Sequence, residues 1–181
     1  MKLKAQIMDA QTVERALTRI SYEIVERTED LTNLRLVGIH TRGVPMAEMI
    51  AKRIHTHSGV EVPTGVLDIA LYRDDLTPVD GEEPCVKSVT LPFDIAGRDV
   101  VLVDDVLYTG RTVRAAIEAL FTLGRPRTIR LAILIDRGHR ELPIRADFVG
   151  KNMPTSRQEI VGVHFPTTDG ELGVLLFEGD L

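Results

Sequence analysis

Val100-Val101-Leu102-Val103 is an apolar run with no polar alternation, set between charged residues on both sides. A strand with one face in water alternates apolar and polar residues, so an unbroken run belongs in a sheet covered on both faces. Helical periodicity follows over residues 112–123, and Gly124 and Pro126 close it. The same succession recurs along the chain. Residues 34–40 read as a buried strand, and the turn Thr41-Arg42-Gly43 leads into a helix with Pro45 in its first turn. Further strands are expected near 62–71 and 129–135, with two short ones near Val161 and Val174. Asp9 is placed to cap a first helix whose apolar residues Val13, Ala16, Leu17, Ile20 and Ile24 share a face. The expected class is α/β, with a largely parallel central sheet flanked by helices. Ligands of such sheets bind at the carboxyl ends of the strands.

The periodicity fails over residues 72–92, where charges, Gly81, Pro78, Pro84 and Pro92 replace it, so a long loop or a loose hairpin is expected. Irregular stretches of that length in a compact domain are commonly functional lids. The 181 residues suit one domain, 1–181, able to bury a core without disulfides. A net charge of −5 means that any nucleic-acid binding needs a local basic patch. Cys85 is the single cysteine, which excludes an internal disulfide and suits a reducing compartment. No long apolar run follows Met1, so the expectation is a cytoplasmic chain with no membrane partner.

The apolar run ends in Asp104 and Asp105, and Val106-Leu107-Tyr108-Thr109-Gly110-Arg111-Thr112 carries the chain into the helix. Free amides and the helix dipole at such a terminus favour an anion. Gly110 allows close backbone approach, and Thr109 and Thr112 add hydroxyl donors, making a cradle for a phosphate monoester. The carboxylates lie about one sugar's width away, where they can accept from vicinal hydroxyls. Carboxylate, hydroxyls and phosphate in that order describe a ribose 5-phosphate. A plain βα turn with a surface Asp pair has the same outline. The chain has neither a phosphate-loop Gly-Lys motif nor the spaced glycines of a dinucleotide fold.

This segment resembles the signature of the type I phosphoribosyltransferases that binds 5-phosphoribosyl diphosphate (PRPP). The likeness continues through Ile39-His40-Thr41-Arg42-Gly43, Leu71-Tyr72-Arg73-Asp74-Asp75-Leu76 and Asp136-Arg137-Gly138-His139-Arg140-Glu141-Leu142-Pro143-Ile144-Arg145-Ala146-Asp147. Together these resemble a subfamily that pairs uracil phosphoribosyltransferase activity with attenuation of pyrimidine operons. The resemblance implies a type I phosphoribosyltransferase fold with a small hood, about 137–160, and a flexible active-site loop, about 72–92, with Tyr72 and Arg73 at its root. It implies that Thr41, Arg42 and Gly43 bind the diphosphate, that this turn holds a non-proline cis peptide, and that Thr109 to Thr112 bind the 5′-phosphate. Asp104 and Asp105 hold the ribose hydroxyls, directly or through Mg²⁺ and its water, and with Arg42 form the catalytic set. Asp136, Arg137 and Val161 belong to the uracil pocket. The chemistry agrees, since amides, a hydroxyl and a guanidinium suit a pyrophosphate that gains charge as it leaves.

The resemblance also implies binding of pyrimidine-operon leader mRNA, promoted by UMP, and assembly as a homodimer or homotetramer. Arg15, Thr18, Arg19 and Tyr22 lie opposite the apolar stripe of the first helix, and Arg27, Arg140, Arg145 and Lys151 add charge. An ordinary solvated helix face has the same periodicity. Relatives carry histidine where this chain has Tyr22 and lysine where it has His40, so two potential positive charges are missing from the RNA surface. His55 and His57 share a helix end, and neither they nor His139 and His164 receive a role. Two other functions fit the residues: an RNA-binding regulator that uses the pocket mainly as a UMP sensor, and a phosphoribosyltransferase for another base, such as a purine. The intact Asp pair and both turns favour turnover.

Overall fold

A computed structural model describes residues 1–70 and 85–179. Numbered in chain order, its elements are β1 (Lys2–Met8), α1 (Ala10–Glu26), β2 (Leu34–Ile39), α2 (Gly43–Ser58), β3 (Thr64–Ala70), β4 (Cys85–Thr90), β5 (Asp99–Leu107), α3 (Arg111–Leu123), β6 (Thr128–Asp136), β7 (Phe148–Asn152), β8 (Glu159–His164), α4 (Pro166–Asp169) and β9 (Gly173–Glu178). Six strands form one sheet in the order β4-β3-β2-β5-β6-β7, parallel except for β4, which runs against β3. A second, antiparallel sheet has the order β1-β9-β8.

The unbroken apolar runs have the cause expected of them. Val101 and Val103 point into one core cluster with α1 and α2, through Leu17, Ile20, Met46 and Ile50. Val100 and Leu102 point into a second cluster with Val113, Ala116 and Leu120 of α3. Helices therefore cover both faces of the large sheet. Asp9 caps α1 by accepting from the Thr12 amide at 2.8 Å, and the five anticipated apolar residues of α1 are all buried.

Three elements were not anticipated. In β1 only Met8 is buried, so an edge strand of the small sheet shows no clear alternation. The β7 segment contains Gly150, Lys151 and Asn152, which read as punctuation, yet a Cβ on Gly150 would lie 2.5 Å from the Leu134 carbonyl. That glycine marks a close strand approach, not a loop. The short α4 carries no side-chain cap bond to betray it. The expected hood stretch divides, since β7 joins the large sheet whereas β8 joins the small one. Of the irregular stretch 72–92, residues 85–90 are strand β4, paired from Val66↔Thr90 to Ala70↔Cys85, which is the hairpin form of the expectation. Tyr72 and Arg73 lie outside the described residues. Among the described residues no helix is long and apolar enough to cross a membrane.

From β2 the chain crosses to β3 on one side, and from β5 to β6 on the other. The strand order reverses between these neighbours, and their carboxyl ends border the crevice where open α/β sheets take ligands.

Candidate active site

The turn after β5 is largely built from nearby backbone. β5 runs on to Leu107, so Asp104 and Asp105 belong to its last residues instead of following it. Asp104 Oδ1 accepts from the Asp105 amide and Asp105 Oδ1 from the Val106 amide, each at 2.9 Å. Burial, then the neighbouring Asp105 charge, push the Asp104 carboxyl well above the ordinary range. Burial also raises Asp105, opposed by hydrogen bonding with Asp104 and by the Arg42 charge. Gly110, at φ +95°, turns the chain into α3 as its N-terminal cap residue, and Thr109 Oγ1 accepts from the Arg111 amide at 3.4 Å. Thr109 is buried and Thr112 half-buried beside it.

The carbonyls of this turn are held from behind. Arg140 donates to the Tyr108 carbonyl at 2.7 Å and the Leu107 carbonyl at 3.3 Å, while its guanidinium pairs with Asp136. The Glu141 and Leu142 amides both donate to the Thr109 carbonyl, at 3.0 and 3.3 Å. With its carbonyls occupied by the 138–144 loop, the turn leaves backbone amides at the start of α3 as the groups suited to an anion.

The turn after β2 is held by distant residues. The His40–Thr41 peptide is cis. A Cβ on Gly43 would meet the Val103 carbonyl at 2.3 Å and Asp104 Cα at 3.2 Å, so only glycine lets this turn lie against the end of β5. Arg42 Nη2 donates to Asp169 Oδ1 at 2.8 Å, and Nε to Oδ2 at 3.4 Å. Beside it, the half-exposed His40 ring lies 3.8 Å from Asp68.

On the neighbouring strand, Asp136 ends β6, accepting from the Gly138 amide at 3.0 Å. Arg137 is buried, and its guanidinium lies 4.1 Å over the Tyr108 ring. It donates to Thr155 Oγ1 and to the Ser156 and Glu159 carbonyls, at 3.0, 3.0 and 2.6 Å. That side chain joins residues 155–159 to the turn after β5. His139 contributes to the same junction, edge-on to Tyr108 at 5.8 Å and bonded to the Thr155 carbonyl. Val161 is half-buried on β8, and packs with Val106 on one core cluster.

A family model described as phosphoribosyl transferase domain matches residues 4–166. The chain belongs to the phosphoribosyltransferase family. It is 60% identical over 178 residues to the Bifunctional protein PyrR of Thermus aquaticus, covering 98% of each chain. The Deinococcus radiodurans protein of that name is 57% identical, over 97% of this chain and 95% of its own. Among solved structures, a hypoxanthine phosphoribosyltransferase from Staphylococcus aureus superposes with TM-score 0.74 at 19% identity, covering 96% of this chain and 92% of that one. A mutant hypoxanthine phosphoribosyltransferase from Trypanosoma cruzi, in a ternary complex with substrates, gives TM-score 0.75 at 18% identity, over 97% and 96%. These structural likenesses establish the phosphoribosyltransferase fold.

Within this family frame, the donor set suits a magnesium ion. Two adjacent carboxylates, both raised by burial, are relieved by a divalent cation that takes oxygen ligands. Among the described residues no cluster of three or more His, Cys, Asp and Glu could hold a metal unaided. Magnesium shared with a substrate diphosphate needs only one or two protein carboxylates.

Of the residues expected to touch RNA, Arg19 and Arg27 gather against β7, which carries Lys151. Arg19 reaches the Val149 and Gly150 carbonyls at 3.1 and 2.6 Å and pairs with Glu23, tying α1 to β7 next to the exposed Lys151. Arg27 lies 5.4 Å over the Phe148 ring, and Thr18 accepts from Arg53 at 3.3 Å. Tyr22 stacks on His57 of α2 with ring centroids 3.9 Å apart. Arg145 is exposed, whereas Arg140 turns inward behind the phosphate turn. The stacked His57, the junction residue His139 and the Arg42 partner Asp169 were all missed. Each depends on a contact between distant segments, and no spacing motif signals it.

Proposed function

We propose that this phosphoribosyltransferase transfers the phosphoribosyl group of PRPP to uracil, giving UMP and pyrophosphate, and that its uridine-nucleotide form binds pyrimidine-operon leader mRNA. The observation that carries the reading is the juxtaposition of the Asp104–Asp105 end of β5 with the Arg42 turn of β2, at the reversal of strand order. That arrangement suits one elongated ligand with anionic groups at both ends. The 5′-phosphate sits on the Thr109–Thr112 amides and hydroxyls, and the ribose hydroxyls face the Asp pair. The diphosphate lies on Thr41, Arg42 and Gly43.

As the bond from the anomeric carbon to pyrophosphate breaks, positive charge develops on the ribose and negative charge on the leaving group. Arg42 and the turn amides stabilise the second, and the buried carboxylates the first. Nitrogen of the base then bonds to the anomeric carbon and gives up its proton. Magnesium, when bound to Asp104 and Asp105, would help neutralise the departing diphosphate. Asp136, Arg137 and Val161 border the base. In this reading Arg137 acts by fixing the hood carbonyls, so backbone groups read the pyrimidine edge.

The RNA reading rests on the relatives' shared name and on the α1 face with Arg145 and Lys151. That face also carries Glu14, Glu23 and Glu26, so the RNA affinity is expected to be modest. The proposal includes a cytoplasmic location and a homodimer or homotetramer.

The deciding experiment is UMP formation from uracil, PRPP and Mg²⁺, with hypoxanthine and orotate in parallel. Uracil-specific turnover is the expected result. Turnover on hypoxanthine alone overturns the choice of base, and UMP binding without turnover leaves a nucleotide-sensing RNA regulator.

A further inference from the structure

Asp169 lies 127 residues from Arg42 in sequence, at the end of α4 between β8 and β9, yet the two side chains meet. Both carboxylate oxygens are used. Oδ1 accepts from Arg42 Nη2 at 2.8 Å, while Oδ2 accepts from Arg42 Nε at 3.4 Å and from the Phe165 amide at 2.9 Å. Phe165 is fully buried in the core cluster beneath α1 and α2, so the carboxylate hangs from a fixed point. The side chains of Arg42 and Asp169 are only 23% and 16% exposed, which limits screening of the pair by solvent.

A guanidinium has five N–H donors in a rigid fork. Asp169 takes the Nε–Nη2 edge, and the donors left for a ligand are chiefly at Nη1. On the far side the Arg42 charge is felt by Asp105. Arg42 thus sits between a carboxylate that orients it and the carboxylates of the sugar site. Burial pushes the Asp169 carboxyl up, but hydrogen bonds and charge from Arg42 outweigh that push and hold it below the ordinary range.

We infer that Asp169 is a positioning residue for the diphosphate turn: it clamps one edge of Arg42 so that the other edge faces the diphosphate. The inference rests on the proposed PRPP reading, and names the part of the small sheet that completes that site. The carboxylate also cancels much of the Arg42 charge. If charge mattered more than aim, removing Asp169 would strengthen diphosphate binding. A long side chain freed from its clamp samples many rotamers, and misplacement of a binding group is costly, so orientation dominates.

The test is Asp169→Asn, which retains an acceptor for the Phe165 amide, made in wild-type and Arg42→Gln backgrounds. Binding of magnesium pyrophosphate and of UMP is followed by calorimetry, with PRPP kinetics alongside. Expected is a roughly tenfold loss of pyrophosphate affinity and a matching rise in KM for PRPP, with UMP affinity unchanged and a modest fall in the unfolding midpoint as the ion pair is lost. In the Arg42→Gln background Asp169→Asn should add nothing. Unchanged or tighter pyrophosphate binding overturns the inference. So does an equal loss in both backgrounds, or a parallel loss of UMP affinity, since either marks a general structural role. Wild-type protein that binds magnesium pyrophosphate but makes no UMP refutes the uracil reading alone, and wild type that binds no pyrophosphate overturns both.

Discussion

The turns after β5 and β2 serve the same crevice from neighbouring strands but are built by opposite means. The β5 turn presents backbone: Gly110 reverses the chain into α3, and the Arg140 side chain with the Glu141 and Leu142 amides holds the turn carbonyls. The β2 turn is a side-chain device, in which Arg42 takes its position from Asp169 and Gly43 takes its place against Val103. A phosphate monoester with a fixed place suits a site of amides. A leaving diphosphate, whose charge grows during the reaction, suits a guanidinium. The contrast predicts that damage at either site shows in PRPP, with UMP affinity lost only at the first and pyrophosphate affinity only at the second.

The largest effect tests the carboxylates that separate the two turns. Asp104→Asn with Asp105→Asn should reduce UMP synthesis by roughly 10³-fold or more, because in the proposed reading both sugar contacts and the charge that would hold the metal are lost. The same variant should unfold at a higher temperature near neutral pH. Burial and the Asp105 charge raise Asp104, so the native chain retains protons that the unfolded chain has released. Stability then falls as pH rises from the ordinary carboxylate range through the raised native value, and the asparagines remove that part of the slope. Unfolding scans between about pH 4 and about pH 8 check the sign. Parallel curves for the two proteins would show that the pair carries no strain.

The two glycines sharpen the comparison, because they are required for different reasons. Gly43→Ala places a Cβ 2.3 Å from the Val103 carbonyl, so the turn must move. A displacement near one ångström predicts a loss of up to about 10²-fold in kcat/KM for PRPP. Overpacking adds about 1–3 kcal/mol of destabilisation. Gly110→Ala suffers from its φ of +95° instead, while its nearest side-chain neighbour would be 3.4 Å away. Asparagine tolerates positive φ better than alanine. Substituting Asn should therefore recover part of the loss at position 110 and none at 43. Equal recovery at both would erase the distinction.

Much of this was legible in the sequence, and the division follows the same line. The apolar runs, the Asp9 cap and the strand–turn–helix of residues 100–123 depend on neighbours a few positions away. The Arg42–Asp169 pair, the Arg137 anchor on β8 and the Tyr22–His57 stack join segments that only the folded chain brings together. Strands β1 and β7 escaped because both lie at sheet edges, where charged and small residues are tolerated. Arg140 illustrates the hazard of reading charge alone: counted toward an RNA surface, it is turned onto the Leu107 and Tyr108 carbonyls. Arg140→Ala should loosen the phosphate turn and lower UMP affinity by roughly tenfold, the scale of one charge-assisted hydrogen bond. Calorimetry with UMP and with pyrophosphate should find the loss in the first titration alone.

The smallest effect concerns α1, where a side-chain surface can be read locally but its strength cannot. Arg19 already donates to the Val149 and Gly150 carbonyls and pairs with Glu23, so little of its charge is available to a phosphate. Arg19→Ala should weaken leader-RNA binding by only about three- to tenfold, with turnover unchanged. Its carbonyl contacts cover the edge of β7, so part of that loss reflects movement of neighbouring Lys151. Lys151→Ala separates the two causes. A lysine that meets phosphate directly should flatten the salt dependence of RNA binding by about one counterion, whereas loss of Arg19 should flatten it by less. If Arg19 instead gives the larger change in slope, it leaves the carbonyl edge to meet RNA, and α1, unlike the β2 turn with its clamped Arg42, is a site whose charge the ligand repositions.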